Sequence, residues 1–149
     1  MFQRILAALA AASLLIAACG DSDESNTADS ANSNDSADLQ LSSTDLGDIL
    51  VDSEGNTLYL FTPDSQGEST CYDQCEANWP VVTEMSTVGD GLDAGLLGTT
   101  ERTDGVVQAT YNDWPLYYFA ADAAPGDTAG QGVNDVWWVM DAAGNAVGQ

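Results

Sequence analysis

Apolar positions divide the chain into three parts of different character. Ile5–Ala18 is an unbroken apolar run, whereas Gly20–Asp45 holds no aromatic residue and only two leucines. From Leu46 to Gln149, apolar residues recur in short groups separated by Gly, Asn, Asp and Ser, which is typical of strands and turns. The pattern predicts a single small domain over residues 46–149, because a segment of this length builds one hydrophobic core.

Alternation at the start of this domain predicts a β-hairpin. Ile49 and Val51 lie on one side of a first strand, and a turn cluster at 53–56 separates them from a second strand, Thr57–Thr62. Along the second strand, leucines point to one side and aromatic residues to the other, because side chains alternate across a strand. Both faces are apolar, so we expect this strand to be buried on both sides.

Two more hairpins and a last strand follow. Asp104-Gly105 lies between two strand-like segments, and Asn112-Asp113 lies between the next two; both are sequences that favour tight turns. Val136–Asp141 is predicted as a strand, and another tryptophan-containing strand is predicted at Trp79–Val82. The polar stretch Asp64–Asn78 leaves room for at most one short helix, near a pair of cysteines.

The chain contains the motif Leu-Tyr-x-Phe-x-x-Asp twice, at Leu58–Asp64 and at Leu116–Asp122. In both copies a tryptophan follows the motif tyrosine by twenty residues. This self-similarity indicates an internal duplication, in which each unit is too small to bury its apolar face alone. We therefore predict a mainly β fold, a compact antiparallel β domain built from two similar repeats, about 46–84 and about 96–145, that pack on each other.

The repeated aromatic residues have two interpretations. Large apolar side chains in strands ordinarily form a core, and equivalent repeats need equivalent packing. The alternative is an exposed aromatic platform for a carbohydrate or a quinone, for which Trp114, in a predicted turn, is the best candidate ligand contact. We favour the structural interpretation for the eight repeated residues, which are Tyr59, Phe61, Asp64, Trp79, Tyr117, Phe119, Asp122 and Trp137.

The two motif aspartates also have two interpretations. Asp64 and Asp122 follow predicted buried strands, where an Asp side chain accepts hydrogen bonds from backbone N–H groups two or three residues later. Calcium is the alternative, since both following loops contain Gly and acidic residues. Neither loop has the alternating Asp or Asn spacing and the final Glu of a calcium loop, so we expect capping, with no metal and no cofactor.

The N-terminal segment is typical of an exported lipoprotein. Arg4 precedes an apolar run that is too short to span a bilayer comfortably, which predicts a signal peptide over residues 1–18. Ile16-Ala17-Ala18-Cys19 resembles a lipobox, so Cys19 is the predicted lipidation site and the new N-terminus. An ordinary signal peptide or a retained apolar anchor is the alternative. Residues 19–45, rich in Ser, Asp and Asn, are predicted to form a disordered acidic tether.

The charge of the chain excludes one class of partner. Asp and Glu number 24 against two basic residues, no Lys is present, and the formal net charge is -22. Nucleic acid would be repelled, because phosphate binding needs clustered Lys and Arg. The acidity fits either a solvated surface suited to a saline exterior or a surface that attracts cations.

The chain contains no histidine, which excludes several kinds of catalytic and metal-binding site. It removes the usual Ser-His-Asp and Cys-His nucleophiles, zinc or copper bound by His, and haem attached through Cys-x-x-Cys-His. An enzyme would depend on carboxylates, Tyr and a single Arg in the mature chain, and no carboxylate pair stands out.

Cys71 and Cys75 are the two cysteines that remain after Cys19 is assigned to lipid. In an exported protein we expect them to form a disulfide; on one helical turn their Cα atoms would lie about 6 Å apart, within reach of the bond. The enclosed loop is short, so the disulfide would fix a local turn. A redox-active pair or a thiolate metal site is the alternative.

On these residues the chain resembles a family of secreted or lipid-anchored prokaryotic repeats that carry the motif Tyr-x-aromatic-x-x-Asp. The motif stands at Tyr59–Asp64 and at Tyr117–Asp122, and the sequence from Asp48 to Gly144 follows the family order. At 112–114 this chain has Asn-Asp-Trp, where the family tends to have Asn-Gly and a polar residue. The resemblance implies a cell-surface lipoprotein domain but no activity, because the family is one of unknown function.

We expect a lipid-anchored β-domain protein of the cell envelope that is a non-enzymatic binding or interaction module. Its membrane contact would be the lipid on Cys19, in the outer membrane or on the outward-facing cell surface. Its partner would be another envelope protein or a small ligand. The alternatives are a carboxylate-based envelope hydrolase and an accessory electron-transfer protein that uses Cys71 and Cys75.

Overall fold

A computed structural model describes residues 37–149, which form a mainly β fold with one short α-helix. The elements in chain order are β1 (Leu39–Thr44), β2 (Gly47–Asp52), β3 (Tyr59–Phe61), α1 (Gln74–Asn78), β4 (Leu97–Glu101), β5 (Val107–Tyr111), β6 (Trp114–Pro115) and β7 (Trp137–Val139). Two 3-10 turns lie at Ala94–Leu96 and Val133–Asp135. The predicted signal peptide 1–18, Cys19 and the first part of the predicted tether lie outside the described residues.

Antiparallel pairing of the strands confirms the predicted fold class. β1 pairs with β2, and β4, β5 and β6 form a three-stranded sheet. The hairpins β1–β2 and β4–β5 are the same part of the two repeats, because Leu97 follows Leu39 by the offset that separates the two copies of the motif. β3 pairs with β7, so the tyrosine strand of the first repeat lies beside the tryptophan strand of the second.

Segments of the two repeats pair with each other at the centre of the domain. Tyr59 and Tyr117 lie opposite each other in antiparallel orientation, and each backbone N–H donates to the other's carbonyl oxygen, at 2.9 and 3.0 Å. On its other side Tyr59 pairs with Val139 of the second repeat, and Tyr117 makes the equivalent bridge with Val81 of the first. Each tyrosine segment therefore lies between two segments of the other repeat, with approximate two-fold symmetry.

Turn chemistry explains the hairpins that the sequence predicts. Asn112 and Asp113 have φ of 50° and 61°, the left-handed pair of a two-residue turn between β5 and β6. Gly105, with φ of 83°, lies in the turn between β4 and β5. The hairpin predicted around 53–56 also turns back, but only an isolated bridge follows β2 before β3 pairs with β7.

The strand predicted at Trp79–Val82 is wrong for its first residues. Trp79 is the C-terminal cap of α1, and its N–H donates to the carbonyl oxygen of Cys75 at 2.8 Å. Pro80 has no N–H to contribute to a strand ladder, so pairing resumes only with the bridge at Val81. The short helix predicted near the cysteines is α1.

The domain begins earlier than predicted. The composition predicts a tether up to residue 45 and a domain from Leu46, but Leu39–Thr44 is a full strand. Leu39 is completely buried, and its N–H donates to the carbonyl oxygen of Thr87 at 3.1 Å. Although the side chains of this segment are mostly polar, its backbone N–H and C=O groups form hydrogen bonds with β2. The amino-acid composition gives no information about such backbone pairing. Because β1 is the counterpart of β4, the first repeat also begins before residue 46.

Two hydrophobic clusters lie on opposite faces of the central strands. Leu58 and Leu60 belong to one cluster and Tyr59 to the other, as the alternation predicts. All three residues are at most 1% exposed, so the strand is buried on both sides. Over residues 37–149, no helix has the length and apolar character needed to cross a membrane.

Candidate functional site

The repeated aromatic side chains form one continuous stack. The rings of Trp79 and Trp137 are parallel within 4°, with centroids 3.8 Å apart. Phe61 stacks on Trp137 at 4.2 Å, and Phe119 stacks on Trp79 at 4.1 Å. The order Phe61, Trp137, Trp79, Phe119 alternates between the repeats, so neither repeat builds the stack alone.

The motif tyrosines contact the stack edge-on. Tyr59 meets Trp79 at a centroid distance of 5.4 Å and 78°, and Tyr117 meets Trp137 at 5.2 Å and 89°. Both tyrosines are completely buried, and both tryptophans are at most 5% exposed. Stacked and edge-on ring contacts add to the stabilisation from burial. These contacts support core packing, rather than an exposed ligand platform, as the use of the repeated rings.

Each motif tyrosine donates its hydroxyl proton to the motif aspartate of the other repeat. Tyr59 Oη lies 2.8 Å from Asp122 Oδ2, and Tyr117 Oη lies 2.6 Å from Asp64 Oδ2. Burial and the neighbouring carboxylate hold the pKa of both tyrosines well above the usual value. Tyrosine and aspartate are five residues apart in the motif, yet their side chains bond across the repeats.

The second oxygen of each aspartate orders the loop that follows. Asp64 Oδ1 accepts a hydrogen bond from the N–H of Thr70 at 2.7 Å, and Asp122 Oδ1 accepts one from the N–H of Ala129 at 2.9 Å. The donors lie six and seven residues along the chain, rather than the expected two or three, because each loop folds back toward its motif. Burial raises the pKa of both carboxyl groups above the usual value, although these hydrogen bonds act in the opposite sense.

Arg102 is a structural residue that sequence reasoning missed. Its buried side chain donates through Nη1 to Ser69 Oγ at 2.6 Å, and the Ser69 hydroxyl contacts the Tyr117 hydroxyl at 2.7 Å. Nη2 donates to the carbonyl oxygen of Cys71 at 2.9 Å and to Glu76 Oε2 at 2.7 Å. The signal was available in the composition, because this residue is one of only two basic residues in the chain.

Cys71 and Cys75 form a disulfide beside α1, with their Cα atoms 5.2 Å apart. Cys71 is completely buried and belongs to the aromatic cluster, whereas Cys75 is partly buried against it. The bridge fixes the turn whose carbonyl groups accept hydrogen bonds from Arg102 and Trp79. This position supports a local structural role over a redox-active pair, because one cysteine is shielded from solvent.

The motif aspartates are not arranged as metal ligands. A calcium ion needs six to eight oxygen ligands around one point. Both oxygens of Asp64 and of Asp122 instead accept hydrogen bonds from protein groups. In the part of the chain that the structure describes, no three His, Cys, Asp or Glu side chains are grouped so as to hold a metal ion.

Two cavities of about 370 Å³ each are lined by residues of both repeats. The acid cavity is lined by Asp52, Glu54, Asn56, Thr57, Pro80, Tyr118, Phe119, Ala120 and Asp122. The neutral cavity is lined by Leu60, Thr62, Trp114, Asn145, Ala146 and Gln149. Tyr118 and Ala120 of the acid cavity correspond to Leu60 and Thr62 of the neutral cavity, because each holds the same position in its copy of the motif.

The two cavities differ in chemistry although they are equal in size. In the acid cavity, Tyr118 donates its hydroxyl proton to Asp52 Oδ2 at 3.1 Å, and burial raises the pKa of this tyrosine well above its usual value. Asp52 Oδ1 accepts two backbone N–H groups of its own turn, both at 2.9 Å. The neutral cavity is lined by no charged side chain; its largest ring is that of Trp114, which is partly buried against the core.

A larger groove, of about 650 Å³, lies beside β4 and β5. Asp38, Glu84, Met85 and Val107 are among its lining residues. No aromatic ring and none of the repeated motif residues line this groove. The acid cavity combines rings with convergent polar groups, as small-molecule sites do, and is the better candidate site.

The model of a family described as a secreted repeat of unknown function matches the chain twice, at residues 40–83 and 98–141. The starts of the two matches are separated by the same offset as the two copies of the motif, and the matches confirm the resemblance drawn from the sequence. The first match begins within β1, which agrees with the early start of the domain. Neither the curated proteins nor the solved structures give a significant match to the chain.

Proposed function

Because the chain belongs to the family of secreted repeats of unknown function, we propose that it is a lipid-anchored protein of the cell envelope and a non-enzymatic binding module. Its membrane attachment is the lipid on Cys19, and it faces outward from the outer membrane or the cell surface. Its ligand is a small molecule, or a group on another envelope protein, that enters the acid cavity.

The lipid anchor is supported by the sequence around Cys19. Small residues precede this cysteine at the end of the predicted signal peptide 1–18, and residues 20–36 contain no aromatic or large aliphatic side chain. Each buried methylene of an acyl chain contributes about 0.8 kcal/mol, so more than one chain anchors stably where a single chain is marginal. The family description as secreted supports export.

The acid cavity is the observation that carries the binding role. Its volume of about 370 Å³ is within the range of small-molecule sites. The rings of Tyr118 and Phe119 offer contact area, and the polar groups of Asn56 and Thr57 offer orientation. Two motif residues, Phe119 and Asp122, line this cavity, and its other lining residues differ from those at the equivalent positions of the other repeat.

The use of the cavity carboxylates supports binding rather than hydrolysis. A carboxylate hydrolase needs an acid and a base that are free to exchange protons with the substrate. Asp52 instead accepts hydrogen bonds from two backbone N–H groups and from Tyr118, and Asp122 accepts them from Tyr59 and Ala129. These two carboxylates hold backbone and ring groups in place.

The test is chemical-shift mapping on the isotope-labelled full-length protein in detergent. The probes represent four classes: choline, N-acetylglucosamine, glycerol phosphate and a soluble quinone. We expect at least one probe to shift the amide signals of Tyr118 and Phe119, and we expect Phe119→Leu to weaken its binding. Trp114→Leu, the matched change in the neutral cavity, should leave binding unchanged. The proposal is wrong if no probe shifts these amides, if the shifts centre on Trp114, or if a probe is chemically converted.

A further inference from the structure

We infer that the acid cavity binds an organic ammonium compound, in which a protonated or quaternary amine is carried on an alkyl chain. This inference rests on the proposed binding function and names the chemical class of its ligand. It is drawn from the charge of the cavity, from its aromatic wall and from its contrast with the neutral cavity.

The charge of the cavity favours a cation. Asp52, Glu54 and Asp122 line it, and no basic residue does. Over residues 37–149 the only basic side chain is Arg102, which pairs with Glu76 at 2.7 Å and with another acid outside the cavity. The cavity carboxylates therefore have no protein counter-ion in the described chain, and their field attracts a positively charged ligand.

The aromatic wall of the cavity favours an organic cation over a simple ion. Phe119 is the end ring of the stack, with Trp79 on one face at 4.1 Å, and it also lines the cavity. Tyr118 lines the cavity as well. Ring faces attract ammonium groups electrostatically, and they also contact the attached methyl or methylene groups. Carboxylates and rings in one cavity match both ends of such a ligand.

The arrangement of the acidic residues also favours an organic cation over a bare metal ion. In the described chain no three acidic, His or Cys side chains are grouped to hold one metal ion. Asp52, Glu54 and Asp122 line one cavity of about 370 Å³ without forming such a group. A ligand that extends over several bonds is compatible with this arrangement, whereas a bare divalent cation needs ligands that converge on one point.

The neutral cavity lacks the acidic lining of the acid cavity. The two cavities have about the same volume, and the neutral cavity has Leu60 at the motif position where the acid cavity has Tyr118. No Asp or Glu side chain lines the neutral cavity. Three acidic side chains and a tyrosine therefore distinguish the acid cavity from the neutral cavity.

The experiment is calorimetric titration of the full-length protein in detergent with choline and with spermidine, at fixed ionic strength. Glu54→Gln removes an exposed cavity carboxylate, and Glu101→Gln on β4 is its matched control with the same change in net charge. We expect Glu54→Gln to weaken the binding of at least one of the two amines about five-fold or more, and Glu101→Gln to leave it unchanged, because the attraction is local. Tyr118→Leu, which copies the neutral cavity, should abolish binding.

The ammonium assignment is overturned if neither amine binds, or if Glu54→Gln and Glu101→Gln weaken binding equally, which is the behaviour of diffuse counter-ions. It is also overturned if Tyr118→Leu binds as the unchanged protein does. If N-acetylglucosamine shifts the amides of Tyr118 and Phe119 while both amines fail, the ammonium assignment is wrong and the proposed binding function stands.

Discussion

Tyr59 and Tyr117 each use the whole side chain to join the two repeats. The ring of each packs edge-on against a tryptophan, and the hydroxyl donates to the aspartate of the other repeat. Removing such a hydroxyl leaves a buried acceptor without a partner, which costs about 1–3 kcal/mol. The two copies of the motif therefore form two buried tyrosine–aspartate pairs, and each pair takes its tyrosine from one repeat and its aspartate from the other.

A residue-scale prediction concerns Arg102. Arg102→Lys keeps the charge but loses the planar fork that donates to Ser69, Gln108 and the carbonyl oxygen of Cys71. We expect the free energy of unfolding to fall by about 2–4 kcal/mol, because each hydrogen bond from a charged donor contributes about 1.5–3 kcal/mol. Chemical denaturation measures the change. Glu76→Gln, the control at the partly exposed partner, should cost less than about 1 kcal/mol; an equal loss in both proteins would refute the buried role of Arg102.

At the scale of elements, strand type was predictable and strand partners were not. Alternation along β3 and the left-handed turn at Asn112-Asp113 are local signals, and the structure agrees with both. The partner of β3 is β7 of the other repeat, and three-residue strands carry no local signal for the edge that they join. Arg102 and the acid cavity depend on such distant contacts, so the site could not be assembled from the sequence.

β1 was missed for a different physical reason. Its sequence, LQLSST, has the polar composition of the preceding segment, and only Leu39 is completely buried. A strand whose backbone pairs with β2 needs few apolar side chains to be stable in a sheet. The repeat offset held the missing information, because Leu39 precedes Leu97 of β4 by the same offset that separates Tyr59 from Tyr117.

An element-scale prediction follows for β1. A chain that begins at Ala37 keeps this strand, whereas a chain that begins at Leu46 loses it and loses Leu39 from the core. We expect the shorter chain to melt at a clearly lower temperature or to be unfolded. In the longer chain, Leu39→Ala should cost about 2–5 kcal/mol, the usual scale for a truncated core leucine. Equal melting midpoints for the two chains would show that β1 does not contribute to the fold.

At the scale of the whole molecule, acidity sets the pH dependence of stability. Burial raises the pKa of Asp64 and Asp122, so between the ordinary value and the raised value the folded protein binds more protons than the unfolded chain. Stability then falls as pH rises through that window. Asp38 and Asp104 act oppositely, because backbone hydrogen bonds lower their pKa, and their contribution is lost only as pH falls below about 4.

We therefore expect the melting midpoint to rise on acidification from neutral pH toward about pH 4, the ordinary carboxyl value, since the folded state takes up protons and its negative charges repel each other less. Thermal melts at fixed ionic strength measure this. Asp64→Asn combined with Asp122→Asn should flatten the rise. A midpoint that climbs steadily toward alkaline pH would contradict the assignment of these two buried carboxyl groups.

A second whole-molecule prediction concerns the lipid anchor. Intact-mass analysis of protein from the membrane fraction should show a chain that begins at Cys19 and carries acyl chains, because one lipidated cysteine is the proposed attachment. Cys19→Ser should leave an unprocessed or mislocalised precursor. A wild-type protein with Met1 present and no acyl mass would exclude the lipoprotein assignment. The Cys71→Ser protein is the control, since its change lies in the disulfide and should leave lipidation intact.

The most direct test of the account asks whether the duplicated motif is a core pair shared between the repeats. Double-mutant cycles measure the coupling free energy of Tyr59→Phe with Asp122→Asn, whose side chains bond across the repeats, and of Tyr59→Phe with Asp64→Asn, which belong to the same repeat. We predict coupling of about 0.5–3 kcal/mol for the first cycle and additivity within about 0.5 kcal/mol for the second. Coupling confined to Tyr59 and Asp64, or no coupling in either cycle, would contradict the hydrogen bonding between repeats on which the account rests.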